Sequence, residues 1–342
     1  MVSLPPELML DILELAAFST RAPRRLLKRC SLLNRAWRFP SQALLFRHFS
    51  RLTSVEGAQA WVDADWSEFT EVLEVVIEGP KTSDDDELLS KAAELERLFA
   101  SVMSRSQDVK ALELHLSPVV LTSVLSLVSL RGLKHLKLTA EQYHHETAFV
   151  LGAAPPVFSL TSLEVDAVVF PGVLDFLLPA VSSLQSLSIG VDEHREDDPL
   201  EAVTNLLSAS KETLSALSLH TTPDPPCFES FTSSLSSLSA LKTFEYHGTL
   251  CDCCAHLILP SLPPSTENVL FSAEPFDTVA QILRETVLAQ DPATDEEGEV
   301  ILPNLKAVAV PVKSKKLVGE PARERAVARG ITVKGFKFIS GV

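Results

Sequence analysis

The residues of this 342-residue chain best suited to metal chemistry are its five cysteines and nine histidines. Residues 251–256 (CDCCAH) bring three thiols and an imidazole together, which could indicate zinc. Structural zinc sites join such a cluster to a second, distant pair of ligands. The other two cysteines, Cys30 and Cys227, are isolated in the sequence. We therefore predict ordinary thiols here and no metal site.

Three histidines, His115, His220 and His247, occupy one position in a recurring apolar pattern described below. If the strands that carry His220 and His247 are neighbours, strand spacing places the two rings about 5 Å apart. One interpretation is a pH-sensitive contact, because histidine titrates near neutral pH. The other is three polar side chains on a solvated sheet face.

The sequence carries no recognisable catalytic motif. It has no nucleophile elbow, phosphate-binding loop or dinucleotide fingerprint, and only 12 glycines in all. We therefore predict a protein that is not an enzyme and needs no cofactor.

The elements that position these side chains are indicated by a repeat that starts near residue 72. Apolar residues recur at the first, fourth and sixth positions of short segments. The segments are Val72/Val75/Ile77, Val109/Leu112/Leu114, Leu133/Leu136/Leu138, Leu160/Leu163/Val165, Leu184/Leu187/Ile189, Leu214/Leu217/Leu219, Leu241/Phe244/Tyr246 and Leu305/Val308/Val310, with a weaker one at Val269 and Phe271. The middle positions from 112 to 269 are separated by 24, 27, 24, 30, 27 and 25 residues.

This period and the L-x-x-L-x-L opening resemble leucine-rich repeats, in which each repeat supplies one strand and one helix. The resemblance is degenerate, because the asparagine or cysteine usual in the family is missing after each strand. It implies a leucine-rich-repeat-like α/β solenoid over residues 72–342, with parallel strands and outer helices. A different open α/β sheet is the alternative.

A repeat fold of this kind exposes the side chains that alternate with the apolar positions on one concave face. We predict that this face binds a client protein, and the alternative is an ordinary solvated sheet face. The candidate residues are Glu113, His115, Lys137, Glu164, Asp166, His220, Glu245 and His247.

Charge is divided unevenly along the chain. Residues 1–52 hold nine Lys/Arg and three Asp/Glu, a net charge of +6. The remainder holds 21 Lys/Arg and 42 Asp/Glu, a net charge of −21. The acidic bulk argues against nucleic acid as a partner, because phosphate binding requires a basic face. The odd number of cysteines and the absence of a basic leading segment favour reduced thiols in the cytoplasm or nucleus, and no membrane span is predicted.

The first fifty residues predict three or four short helices. Leu8, Ile12 and Leu15 share one helical face, and Pro23 begins a second helix with Leu26, Leu27 and Cys30 inward. Pro40 is expected to begin a further turn. So small a unit is marginal alone, so we expect it to dock on another surface.

The N-terminal residues also resemble the F-box motif in the form common in fungal proteins. The resemblance covers residues 4–48 and includes Leu4-Pro5-Pro6-Glu7-Leu8, the pair Ile12-Leu13 and the run CSLLNRAWR at 30–38. It implies binding to the Skp-type adaptor of cullin–RING ubiquitin ligases, whose acidic character suits a basic head. The loop at 17–22 is longer than the usual pattern. By position, the implied adaptor-binding residues are Leu4, Pro5, Leu8, Ile12, Leu13, Leu27, Cys30, Leu33 and Trp37.

The sequence therefore predicts three parts: an F-box-like helical module at 1–50, a connecting helical segment at 51–71 with Trp61 and Trp66, and the repeat domain at 72–342. The function expected from the resemblance is the substrate-recognition subunit of a Skp–cullin–F-box type ubiquitin ligase. The alternatives are a protein-interaction scaffold outside any ligase, and an enzyme of unrecognised type.

Overall fold

The structure is a computed structural model of the whole chain. It describes residues 5–20, 22–33, 35–63, 70–76, 97–102, 104–105, 108–115, 128–139, 155–166, 171–191, 199–221, 229–249, 252–274, 276–283, 302–311, 315–316 and 318–336. By internal contacts the chain divides into two units, Met1–Ser159 and Leu160–Val342. Each is described by itself.

Three helices open unit 1: α1 (Pro6–Phe18), α2 (Pro23–Leu33) and α3 (Arg35–Phe49). A proline begins each of the first two, where its missing N–H costs no hydrogen bond. The helices pack around a small core of Leu13, Ala17, Leu27 and Leu44.

Helix α3 corrects one expectation about proline. Pro40 was expected to begin a new turn, but the helix runs through it from Arg35 to Phe49. Pro40 and two apolar residues after it, Ala43 and Leu44, are buried. Their burial offsets the hydrogen bond that a proline removes from a helix interior.

The sheet of unit 1 begins earlier than the repeat pattern indicated. The short strand β1 (Ser50–Leu52) lies at the boundary between the predicted helical module and the connecting segment. It pairs in parallel with β2, so that Ser50 lies opposite Leu73. Helix α4 (Val55–Asp63) follows and buries Trp61. Trp66 lies outside the described residues.

The other strands of unit 1 are β2 (Val72–Val76), β3 (Ala111–His115) and β4 (His135–Thr139), joined in that order by parallel pairing. Leu73 pairs with Leu112, which makes Leu73 and Val75 the fourth and sixth residues of the first repeat. The prediction of Val72, Val75 and Ile77 was therefore two residues late. The error is visible in burial, since Leu73 is enclosed while Val72 is exposed.

The described residues of unit 2 form seven parallel strands, each paired with the next along the chain. They are β5 (Ser162–Asp166), β6 (Ser186–Val191), β7 (Ala216–Thr221), β8 (Thr243–Thr249), β9 (Asn268–Glu274), β10 (Ala307–Pro311) and β11 (Thr332–Phe336). Between them lie α5 (Pro171–Leu177), α6 (Pro199–Ser210), α7 (Glu229–Ser236), α8 (Asp252–Ser261), α9 (Phe276–Ile282) and α10 (Glu320–Ala328). The predicted α/β organisation with parallel strands is confirmed.

The register places equivalent repeat positions side by side. Leu187 pairs with Leu217, and Leu217 with Phe244. All seven predicted middle positions from Leu112 to Val269 are buried. Because successive strand side chains alternate between faces, this buried row fixes which side chains remain on the open face.

A ladder of backbone carbonyls joins neighbouring repeats where each strand begins. The residue just before a strand accepts two N–H groups from the next repeat. Gln185 O, for example, accepts from Ser215 N and Ala216 N, both at 2.9 Å. The carbonyls that accept two such bonds belong to Glu71, Lys110, Thr161, Gln185, Ser215, Lys242 and Glu267. These bonds satisfy backbone groups that would otherwise be left unpaired at the strand ends.

Two glycines near the ends of elements have backbone conformations that other residues rarely adopt. Gly248 in β8 has φ +121°, and Gly330 after α10 has φ +73°. Gly330 lies between the end of α10 and the start of β11. Among the described residues, no helix is both long and apolar enough to cross a membrane.

Candidate protein-interaction surfaces

We call helices α1, α2 and α3 the helical head. Helix α1 is apolar on two sides, and only one of them faces the core of this head. Leu13 and Ala17 are buried against α2 and α3. On the other side the exposed fractions of Leu8, Ile12, Leu15 and Phe18 range from 44 to 77%. We call Glu7, Leu8, Asp11, Ile12, Leu15 and Phe18 the α1 stripe. Contiguous exposed apolar side chains of this kind are typical of binding surfaces.

The α1 stripe borders a surface depression of about 460 Å³. Its described lining residues are Asp11, Glu14, Leu15, Phe18 and Ser19. Carboxylates therefore flank the apolar side chains at this end of the helix, and a partner with a basic rim would fit them.

Helix α2 presents the opposite charge. Its inner residue Leu27 is fully buried, whereas Leu32 and Leu33 are among the most exposed apolar side chains of the described residues. We call the exposed residues Arg24, Arg25, Lys28, Arg29, Leu32 and Leu33 the α2 patch. Among the described residues, none of its four cations forms an ion pair.

The predicted adaptor-binding residues divide into two groups. Pro5, Leu8, Ile12 and Leu33 are exposed, and Leu4 lies outside the described residues. Leu13 and Leu27 are enclosed by the helices, while Cys30 and Trp37 pack against the same core. In this conformation these four side chains support the exposed surface. The side chains of Leu13 and Leu27 are almost fully buried in this conformation.

His48 of α3 contacts the side of α1. Its ring meets Phe18 edge-on with centroids 5.1 Å apart, and its Nε2 lies 3.5 Å from Glu14 Oε1. Burial lowers the pKa of His48, and the positive charge of Arg47 lowers it further, against the opposing effect of Glu14. His48 is thus a neutral packing residue between two helices at neutral pH.

A network of ion pairs connects α3 to the sheet. Arg47 Nη2 lies 2.6 Å and Lys110 Nζ 3.2 Å from Glu71 Oε1. Burial by itself would raise the pKa of Glu71, but the hydrogen bonds from Arg47 and Lys110 outweigh it and lower the pKa.

The open face of the unit 1 sheet carries a row of directly opposed charges, Arg51, Glu74, Glu113 and Lys137. Arg51 Nε is 3.1 Å from Glu74 Oε1, and Lys137 Nζ is 3.5 Å from Glu113 Oε1. His115 Nε2 also lies 3.1 Å from Glu113 Oε1. Adjacent like charges destabilise a sheet unless they are neutralised, and the two outer cations do so here.

Glu74, Glu113 and His115 deserve comparison with a metal centre, because one ligand atom from each lies within 4.8 Å of the others. Arg51 and Lys137 already balance the two carboxylates from either side. The row is therefore accounted for by ion pairs. For residues 251–256, Cys251 lies outside the described residues, and only the helical backbone of the others is described.

On the open face of unit 2, two of the predicted histidines meet. The rings of His220 and His247 are stacked, with centroids 4.6 Å apart and planes 8° from parallel, which confirms the predicted proximity. His220 Nε2 lies 3.1 Å from Ser188 Oγ and 3.2 Å from Ser218 Oγ. His247 Nε2 lies 3.4 Å from Glu245 Oε2. The hydrogen bond with His247 lowers the pKa of Glu245, against the effect of burial.

The remaining predicted residues of this face are placed less closely together. Glu164 of β5 pairs in register with Ser188 of β6, so strand β6 lies between Glu164 and the strand that carries His220. Of Asp166 only the backbone is described. His115 belongs to unit 1 and contacts Glu113, so it does not extend the stacked pair within unit 2.

Sequence reasoning missed Arg51 and Glu74, because strand β1 has only three residues and the first repeat was placed two residues late. The available signal was Leu52, which follows Ser50 with the spacing of the fourth and sixth repeat positions.

No family model matches the sequence, and no curated protein matches it. Among solved structures, the chain is similar to the leucine-rich repeat-containing protein LegL7 from Legionella pneumophila, with a TM-score of 0.43 and 13% identity over 83% of this chain and 88% of that one. It is also similar to a protein from Bacteroides fragilis, with a TM-score of 0.45 and 12% identity over 84% of this chain and 73% of that one.

Proposed function

We propose that this chain is the substrate-recognition subunit of a Skp–cullin–F-box type ubiquitin ligase. The observation that carries the proposal is the exposure of Leu8, Ile12 and Leu33 after the three helices have packed. These are positions at which the sequence resembles the F-box motif. Apolar side chains left outside a formed core favour burial against a partner.

The proposed mechanism is proximity. The helical head binds the Skp-type adaptor, and the open sheet face holds a client protein. A client lysine then meets the ubiquitin-charged enzyme at a high effective concentration. The chain itself makes and breaks no bond, needs no cofactor, and acts in the cytoplasm or nucleus.

The charge of the head supports this partner. The α2 patch has four exposed cations and no acid, so an acidic adaptor would meet complementary charge there. A scaffold that uses the same surfaces outside any ligase is the second candidate. It is favoured by the same exposed side chains, and it differs in lacking adaptor binding.

Binding of the full chain to a purified Skp-type adaptor tests the proposal. We expect Leu8→Asp and Ile12→Asp each to weaken binding at least about tenfold, because a carboxylate would be buried against an apolar surface. Val327→Asp, on an exposed apolar side chain of α10, is the matched control and should bind as wild type.

If the wild-type chain fails to bind the adaptor, or if the head variants bind as well as the control, the ligase assignment is wrong. Client capture by the full chain that persists without adaptor binding would favour the scaffold.

A further inference from the structure

Helices α1 and α2 carry opposite, unsatisfied charge on their exposed sides. Helix α1 contains Glu7, Asp11 and Glu14 and no Lys or Arg, whereas α2 contains four cations and no Asp or Glu. Among the described residues, neither Glu7 nor Asp11 forms an ion pair, and neither does any cation of the α2 patch.

The reason is geometric. The two helices meet through apolar residues, with Leu13 of α1 and Leu27 of α2 sharing one core. This packing turns the acids and the cations outward. Within one chain the α1 stripe and the α2 patch therefore do not neutralise each other.

We propose that these two surfaces bind each other between two copies of the chain. Each copy supplies an α1 stripe to the partner's α2 patch and receives the reverse contact. Because α1 and α2 are neighbours, the two contacts are related by a two-fold axis and close into a dimer.

The two surfaces match in size and in chemistry. Helices of 13 and 11 residues extend about 20 and 16 Å, so they can align along most of their length. Each surface places exposed apolar side chains beside its charges: Leu8, Ile12 and Leu15 on one, Leu32 and Leu33 on the other. Apolar burial supplies the attraction, and opposite charge fixes which helix meets which.

Sedimentation of the full-length chain over a concentration series tests this arrangement. We expect a monomer–dimer equilibrium that weakens as salt is raised, because exposed charges are screened. Two variants are matched: Glu7→Lys with Asp11→Lys changes the net Lys/Arg and Asp/Glu charge of α1 from −3 to +1, and Arg25→Glu with Arg29→Glu changes that of α2 from +4 to 0. Each should raise the dimer dissociation constant at least about tenfold.

Mixing the two variants is the decisive measurement. In the mixed dimer the α1 with two introduced lysines meets the α2 with two introduced glutamates, and the unchanged α1 of one copy meets the unchanged α2 of the other. We therefore expect the mixture to dimerise when neither variant does so alone. A chain with all four substitutions should recover the dimer. Circular dichroism of every variant should match wild type, because all four positions are exposed.

Three results would overturn the inference: a wild-type chain that stays monomeric, a dimer that persists in both variants, or a mixture that fails to associate. The dimer would cover the same α1 and α2 surfaces that are proposed to bind the adaptor, so one copy of the chain would hold either partner at a time. Adaptor binding is measured separately, so a chain that stays monomeric leaves the ligase proposal standing, and a chain that binds no adaptor leaves the dimer proposal standing.

Discussion

His220 and His247 lie on neighbouring strands with their imidazole rings stacked at 4.6 Å, and Glu245 accepts a hydrogen bond from the second ring. The carboxylate of Glu245 thus lies beside an imidazole ring that hydrogen-bonds to it and a second ring stacked on the first. This arrangement lowers the pKa of Glu245 below its ordinary value of 4.5. We predict that a carboxyl titration followed by NMR will show this lowered pKa.

The titration also distinguishes the two rings. His247→Ala should return the pKa of Glu245 towards 4.5 by removing the hydrogen bond. His220→Ala should move it less, because His220 acts only through its charge. Equal shifts in the two variants would contradict the assignment of the hydrogen bond to His247.

Gly248 has no room for a side chain. A Cβ built there would lie 2.2 Å from the carbonyl oxygen of Thr221, and its φ is +121°. Thr221 is itself fixed by Tyr246, whose hydroxyl is 3.0 Å from Thr221 Oγ1. We predict that Gly248→Ala lowers the free energy of unfolding by about 2 kcal/mol or more, as measured by denaturant titration.

Two other glycines serve as controls for that substitution. A Cβ at Gly330 would have no neighbour within 4 Å. Gly330→Ala should therefore lower the free energy of unfolding only through the backbone strain of its positive φ, by about 1 kcal/mol. Gly132→Ala meets Val109 O at an ordinary 3.7 Å and should cost less still. If all three cost the same, the close contact at Thr221 is not real.

Glu71 stabilises the junction of α3 with the sheet. Its pKa is lowered in the folded chain, so the stability it contributes is present above about pH 4.5 and is lost as pH falls through the folded value. We predict that Glu71→Gln lowers the free energy of unfolding by about 1 kcal/mol at neutral pH. It should also make the free energy of unfolding fall less steeply as the pH is lowered. Glu267→Gln, which breaks the more exposed pair with Lys306, should change acid unfolding less.

His48 gives the helical head a separate dependence on pH. Its pKa is lowered on folding, so the unfolded chain binds a proton first as pH falls below about 6.5. The packing of α1 on α3 is therefore fully stable above that pH and weakens below it. Hydrogen exchange of the α1 amides should accelerate as pH falls, after correction for the intrinsic rate. His48→Gln should remove this dependence, and an unchanged profile would contradict the role of His48.

Leu13 and Leu8 separate packing from docking on the same helix. Leu13→Ala should lower the free energy of unfolding by about 2 to 5 kcal/mol, because it leaves a cavity in the core. Leu8→Ala should change it by no more than about 0.5 kcal/mol, because the side chain is already half exposed. Thermal unfolding of the two variants in parallel measures the difference.

Much of the sheet was predictable because each strand repeats a local rule. Leu217 and Phe244 could be placed on a buried face from spacing alone, since side-chain direction in a strand alternates with period two. The contact of His220 with His247 followed from the same register, once their strands were taken as neighbours. The first repeat could not be aligned in this way. Val72 and Leu73 are both apolar, and only pairing with Leu112 shows which one is buried.

In the helical head, too, some features follow from the local sequence and others only from tertiary packing. The sequence by itself determined that α1 is a helix with apolar residues on more than one side, because proline placement and helical spacing are local properties. Only the tertiary structure decided that Leu13 enters the core while Leu8 and Ile12 stay outside. Which apolar side of α1 is buried depends on where α2 and α3 pack. The spacing of apolar residues within α1 alone does not indicate this.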